Sequence, residues 1–108
     1  MRTQIMGSPS FSHVHVDLSP GETIVAEADA MQAMSAELGM KAKTNGGFFS
    51  ALAKKLFGGE SFFVNEFSND SGGVLRVTIA QDVPGEILEL DVQEGHELCL
   101  QKGSFLAC

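Results

Sequence analysis

The stretch His13-Val14-His15-Val16-Asp17-Leu18 constrains this chain more than any other. In an extended backbone Val14, Val16 and Leu18 point to one side and His13, His15 and Asp17 to the other, the period of a half-buried strand that begins near Phe11. Similar strand signals recur in Thr23–Ala28, in Ser61–Ser68 and in Val74–Ala80, where Leu75, Val77 and Ile79 share a face. Between Gln32 and Lys43 the residues Met34, Ala36, Leu38 and Met40 alternate with Ser35, Glu37, Gly39 and Lys41, which reads as one further strand. Ile87–Val92, Leu98–Gln101 and Phe105–Cys108 are three more short apolar runs. Turn chemistry separates them: Ser19-Pro20-Gly21-Glu22, Asn69–Gly73, and Asp82–Glu86, which repeats the Pro-Gly-Glu of the first turn. Strands at intervals of about 8–12 residues between glycine and proline turns predict an antiparallel all-β sandwich or small barrel. The sandwich is the expected fold, with residues 1–108 as a single domain.

One segment breaks the period. Gly46–Phe67 holds six of the eight phenylalanines, and the adjacent pair Lys54-Lys55, so it differs in character from the acidic remainder. On a helical wheel Phe48, Phe49, Leu52, Ala53, Leu56 and Phe57 share one arc while Ser50, Ala51, Lys54 and Lys55 share the other, which predicts a short amphipathic helix. Gly58-Gly59 is its stop signal, and the lysines sit toward the negative end of its dipole. The expected role is an insert that closes the sandwich, with Phe49, Leu52 and Leu56 against the sheets. Phe48, Phe49, Leu52, Lys54, Lys55 and Phe57 are the expected interaction surface for a peripheral membrane or a protein partner. Two lysines supply only about 2 kcal/mol toward an anionic leaflet, too little to hold an acidic monomer.

Charge sets the next bound. The chain carries 14 acidic and 7 basic side chains, a formal charge of −7, which repels a phosphate backbone and argues against nucleic-acid binding. It has no Trp or Tyr to stack bases. Cys99 and Cys108 lack the spacing of a redox or zinc motif, and their use fits a reducing compartment. No apolar run resembles a signal peptide or a membrane span, so the expected location is cytoplasmic.

Residues with chemistry are few. His13 and His15 project to the same side of their strand, and with Gly7 they match the opening of the cupin metal motif, G-x5-H-x-H. The places where that motif needs a glutamate hold Ser19 and Pro20, and His96 is the one imidazole left as a third ligand. A cupin-like metal-dependent enzyme using His13 and His15 is therefore the alternative reading. Imidazoles on a solvated face are the preferred one. Ser61 beside Glu60 lacks a nucleophile-elbow setting, and neither Gly-Gly pair forms a phosphate loop. Glu86, Glu89, Asp91, Glu94 and Glu97 read as a solvated face rather than a cation site. Neither a cofactor nor catalysis is expected.

The order of motifs resembles the altered-inheritance-of-mitochondria (mitochondrial biogenesis) family. The matching pieces are Pro20-Gly21-Glu22 followed by Ala26–Met31, Gly46-Gly47-Phe48-Phe49 with its basic helix, Gly59-Glu60-Ser61-Phe62-Phe63, Val83–Ile87 and Gln101–Ala107. The resemblance implies a β-sandwich like the subunits of the tryptophan RNA-binding attenuation protein. It also implies a homo-oligomer, a trimer or larger ring, with no established enzymatic activity. The family usually has glycine where Asp29 stands, and its domain continues for about as many residues again. The chain is thus expected to correspond to the N-terminal half, a non-enzymatic scaffold or binding module. The attenuation protein's RNA and tryptophan sites find no matching residues here.

Overall fold

The computed structural model describes residues 1–44, 63–101 and 103–108. Seven strands form: β1 (Arg2–Met6), β2 (His13–Leu18), β3 (Thr23–Glu27), β4 (Met31–Met34), β5 (Gly39–Thr44), β6 (Phe63–Ser68) and β7 (Leu75–Ala80). They make two antiparallel sheets, ordered β1-β2-β7-β4 and β3-β6-β5. The expected all-β antiparallel architecture is what the chain adopts, with no helix among the described residues. The amphipathic helix expected around Phe48–Phe57 lies outside them.

The register of β2 against β7 explains the core. Val14 stands opposite Ile79, Val16 opposite Val77 and Leu18 opposite Leu75, so three apolar pairs share the inner face. Such pairs are the unit of sheet stabilisation, because opposed side chains touch directly. In the second sheet Ile24 and Met40 flank Phe67, and Ile24 and Phe67 meet Val14, Val16, Leu18, Val77 and Ile79 in one cluster. Phe67, Val16, Leu18 and Val77 are fully buried. The chain segment at Phe105–Cys108 closes the outer edge of β3. Val25 N donates to the Cys108 carbonyl at 2.9 Å, Cys108 N to Val25 at 2.8 Å, and Glu27 N to Leu106 at 2.8 Å. That run pairs as its apolar pattern suggested, through one bridge between Ala26 and Ala107.

Other expected strands differ. Gln32–Lys43 is two strands in two sheets. Its turn is closed by Leu38 N donating to the Ser35 carbonyl at 3.1 Å, and Ser35 is pinned to β7 through Arg76 at 2.8 and 3.0 Å. Leu38 is buried at that corner. The alternation in the sequence does not survive the corner, since Ala36 and Met40 are exposed while Leu38 is buried, so pattern alone cannot place the turn. Gly39 follows, packed so closely on β6 that a Cβ would lie 2.7 Å from Ser68 Oγ. The expected strands at Ile87–Val92 and Leu98–Gln101 do not form. The two Pro-Gly-Glu sequences also part company. Glu22 N donates to the Ser19 carbonyl at 3.1 Å with Gly21 at φ 83°, a turn that needs glycine at its third position. Gly85 instead bonds Ser10 and Ser12 across the molecule at 2.6 and 3.2 Å.

One buried polar side chain ties these elements together. Asn69 is wholly buried, and its amide nitrogen donates to the carbonyls of Leu18 and Gly73, each at 2.7 Å. Its side-chain oxygen accepts from the Ser71 backbone N–H at 2.9 Å and the Ser71 hydroxyl at 2.7 Å. Its own backbone bonds Gly21 at 2.7 Å and Glu22 at 3.0 Å. Two carbonyls can only accept, so the amide orientation is set by its partners. Replacing Asn69 by Ala removes four side-chain bonds and strands the buried Leu18 carbonyl; the expected loss is about 3 kcal/mol or more. Asn69→Asp should be worse still at neutral pH, where a carboxylate oxygen would face two carbonyls, and should partly recover on acidification. Thermal melts of both variants between neutral pH and pH of about 4 check this. A melting temperature for Asn69→Asp that does not depend on pH contradicts the assignment.

Candidate functional site on the outer sheet face

The outer face of the first sheet carries the polar rows that the inner pairs leave behind. Gln4, His15 and Thr78 line up across β1, β2 and β7, as do Met6, His13 and Ala80, and Arg2, Asp17 and Arg76. His13 and His15 share this face, as their spacing requires. Their ring centroids lie 5.2 Å apart with planes at 77°. His15 Nδ1 is 2.9 Å from Thr78 Oγ1, and His13 Nδ1 approaches the Phe11 carbonyl at 3.5 Å. Thr78 escaped the sequence reading, although the β2–β7 register would have named it as the residue across from His15.

Beside the histidines lies an open hollow of about 530 Å³, lined in part by Ser12, His13, Gln32, Thr78 and Asp82. His96 does not join them. It sits in a turn where its N–H donates to the Gln93 carbonyl at 3.0 Å, and no group of three histidine, cysteine or acidic side chains is gathered among the described residues. The third ligand that the cupin-like reading drew from His96 is thus not supplied. Phe48, Phe49, Leu52, Lys54, Lys55 and Phe57, the expected interaction surface, lie outside the described residues.

A second feature is apolar. Ile87 packs on the core and the Thr3 hydroxyl donates to Glu89 at 2.8 and 3.0 Å on the surface, while Leu88, Leu90 and Val92 are exposed. These three are 74%, 58% and 51% exposed, far more than a side chain in a core. Residues 88–92 make no backbone–backbone hydrogen bond among the described residues. Glu89 and Asp91 between them are exposed as well, so the alternation that predicted a strand does not divide this segment into a buried and an exposed side.

These observations define an antiparallel two-sheet sandwich whose chemistry-bearing side chains lie on its surface. The chain belongs to the family described as mitochondrial biogenesis AIM24, which matches residues 3–108. It is 27% identical to an uncharacterized protein of Streptococcus pyogenes serotype M6, over 99% of this chain and 44% of that protein. It also superimposes on a crystal structure of a Streptococcus pyogenes protein with a TM-score of 0.62 and 25% identity, covering 86% of this chain and 43% of that one. The chain spans a little under half the length of both relatives. No helix among the described residues is long and apolar enough to cross a membrane.

The charge row on the same face has a definite pH signature. Arg76 donates to Asp17 through Nε at 2.7 Å and through a terminal nitrogen at 3.0 Å, and this pairing holds the Asp17 carboxyl below its ordinary 3.8. A depressed carboxylate stabilises the fold above its unfolded value and loses that contribution as pH falls through the folded one. Arg76 is half exposed, so solvent screens the pair and the contribution is small. Asp17→Asn should lower the melting temperature slightly at pH 7, and the gap should close as pH falls below 3.8. A gap of constant size down to strong acid contradicts the pairing's role.

Proposed function

We propose that this chain is a non-enzymatic β-sandwich module that assembles with further copies of itself, and that the row Leu88, Leu90 and Val92 is its contact surface. The observation that carries the reading is that row: three large aliphatic side chains exposed within five residues that make no backbone–backbone hydrogen bond among the described residues. An exposed apolar strip beside free backbone donors and acceptors favours strand addition, because one contact buries the side chains and satisfies the peptide groups together. Assembly into a trimer or larger ring is in keeping with such a heterologous contact, which closes when successive rotations return to the start. The net charge of −7 supports a role away from nucleic acid and fits cytoplasmic solubility.

Light scattering at micromolar concentration tests the proposal. The parent should exceed the 11.5 kDa of a monomer. A Leu88→Lys/Leu90→Lys variant should run as a monomer with its melting temperature no higher than the parent's. Both side chains are exposed within one chain, so the substitutions act on assembly rather than on the core. A parent that stays at 11.5 kDa across the concentration range refutes the reading.

A further inference from the structure

We propose that His13 and His15 form a two-imidazole chelate for a late first-row divalent ion (copper, nickel or zinc) on the outer face of the first sheet. Three observations converge on it. The two residues stand two apart on β2, so both rings rise from one face. Their separation fits a shared ion. A metal–nitrogen bond of about 2.0–2.1 Å along the ring axis puts each centroid roughly 3.2 Å from the metal, so the tetrahedral angle of zinc spaces the centroids by about 5.2 Å and the right angle of a copper or nickel plane by about 4.5 Å. The observed spacing is 5.2 Å.

The third observation is what holds the far side of each ring. A backbone carbonyl only accepts, so the Phe11 oxygen near His13 Nδ1 favours a hydrogen there and leaves the Nε2 lone pair free. Thr78 Oγ1 at 2.9 Å orients His15 in the same sense when its hydroxyl accepts. Such outer partners fix ring orientation and raise ligand basicity at metal sites. Gly7 makes room for the arrangement. A Cβ there would collide with the Phe11 oxygen and come within 3.3 Å of His13 Nδ1. The glycine of G-x5-H-x-H is therefore a requirement of the β1–β2 connection and of the His13 ring position.

The site is open. Two protein ligands leave the remaining coordination positions to water from the adjoining hollow, the arrangement of an exchangeable site rather than a closed structural one. Imidazole donors select copper, nickel and zinc over magnesium and calcium, which the carboxylates of Glu86–Glu97 would prefer.

Calorimetric titration of the untagged 108-residue chain tests the proposal, with Cys99→Ser and Cys108→Ser removing competing thiols. Expected is one ion per chain in the micromolar range, copper tightest, and no comparable magnesium binding. His13→Ala and His15→Ala should each weaken binding tenfold or more, and His96→Ala should leave it unchanged. Thr78→Val should weaken it by about tenfold through His15 orientation. Paramagnetic broadening by copper in the unsubstituted histidine background provides a readout independent of variant folding. It should be strongest at His13, His15 and Thr78. Unchanged affinity in the double histidine variant overturns the proposal, as does broadening centred on His96 or the lack of saturable binding below millimolar.

Discussion

The four side-chain hydrogen bonds of Asn69 are the constraint on which the two-sheet arrangement depends. Asn69 follows β6 directly in the second sheet, and its amide grips the last carbonyl of β2 in the first. Its backbone meets Gly21 and Glu22, in the turn that carries the chain from β2 across to β3. The same side chain shapes the 70–73 turn leading back to β7. Both sheet crossings at this end therefore close on one buried amide. A fully satisfied polar group in a low-dielectric interior is directional in a way that aliphatic packing is not. The aliphatic core drives the sheets together, and Asn69 selects which ends meet.

Within that frame, register divides the molecule into a face that stabilises and a face that is available. Each apolar pair between β2 and β7 forces its neighbours outward, so Val14–Ile79 and Val16–Val77 are the reason that His15 and Thr78 stand together on the surface. The imidazole pair is thus a by-product of the core pattern. Both rings are half-buried on that surface and pack edge to face. The Leu88–Val92 row carries the same alternation in sequence, with no partner strand among the described residues. Ile87 and the Thr3–Glu89 bond tie the segment to the sandwich, and Leu88, Leu90 and Val92 are exposed.

Electrostatics plays a smaller part. The chain carries a formal charge of −7, while local pairs such as Asp17–Arg76, at 2.7 Å, and Lys43–Glu66, at 3.0 Å, lie across neighbouring strands. Glu27 runs against that trend. Burial first, and then the nearby carboxylates of Asp82 and Asp29, push its carboxyl upward, so its ionised form opposes folding as pH rises through its folded value.

Much was determined by the sequence alone. Alternation located β2, β3, β6 and β7 and the inward sides of β2 and β7. Pro20-Gly21 specified a turn with positive φ, and the spacing of His13 and His15 put both rings on one face. These are local consequences of a backbone with period two and of glycine's missing Cβ, so short windows contain them. Only the tertiary structure decided that Gln32–Lys43 bends at Ser35–Leu38 into two sheets, and that Ile87–Val92 forms no strand among the described residues. It also decided that Pro84-Gly85-Glu86 takes a different role from its twin, and that Asn69 is a junction rather than one more loop residue. Each of those outcomes depends on which distant strand offers hydrogen bonds or apolar area. Alternation records that a residue faces one side or the other, and the packed fold alone supplies what stands on that side.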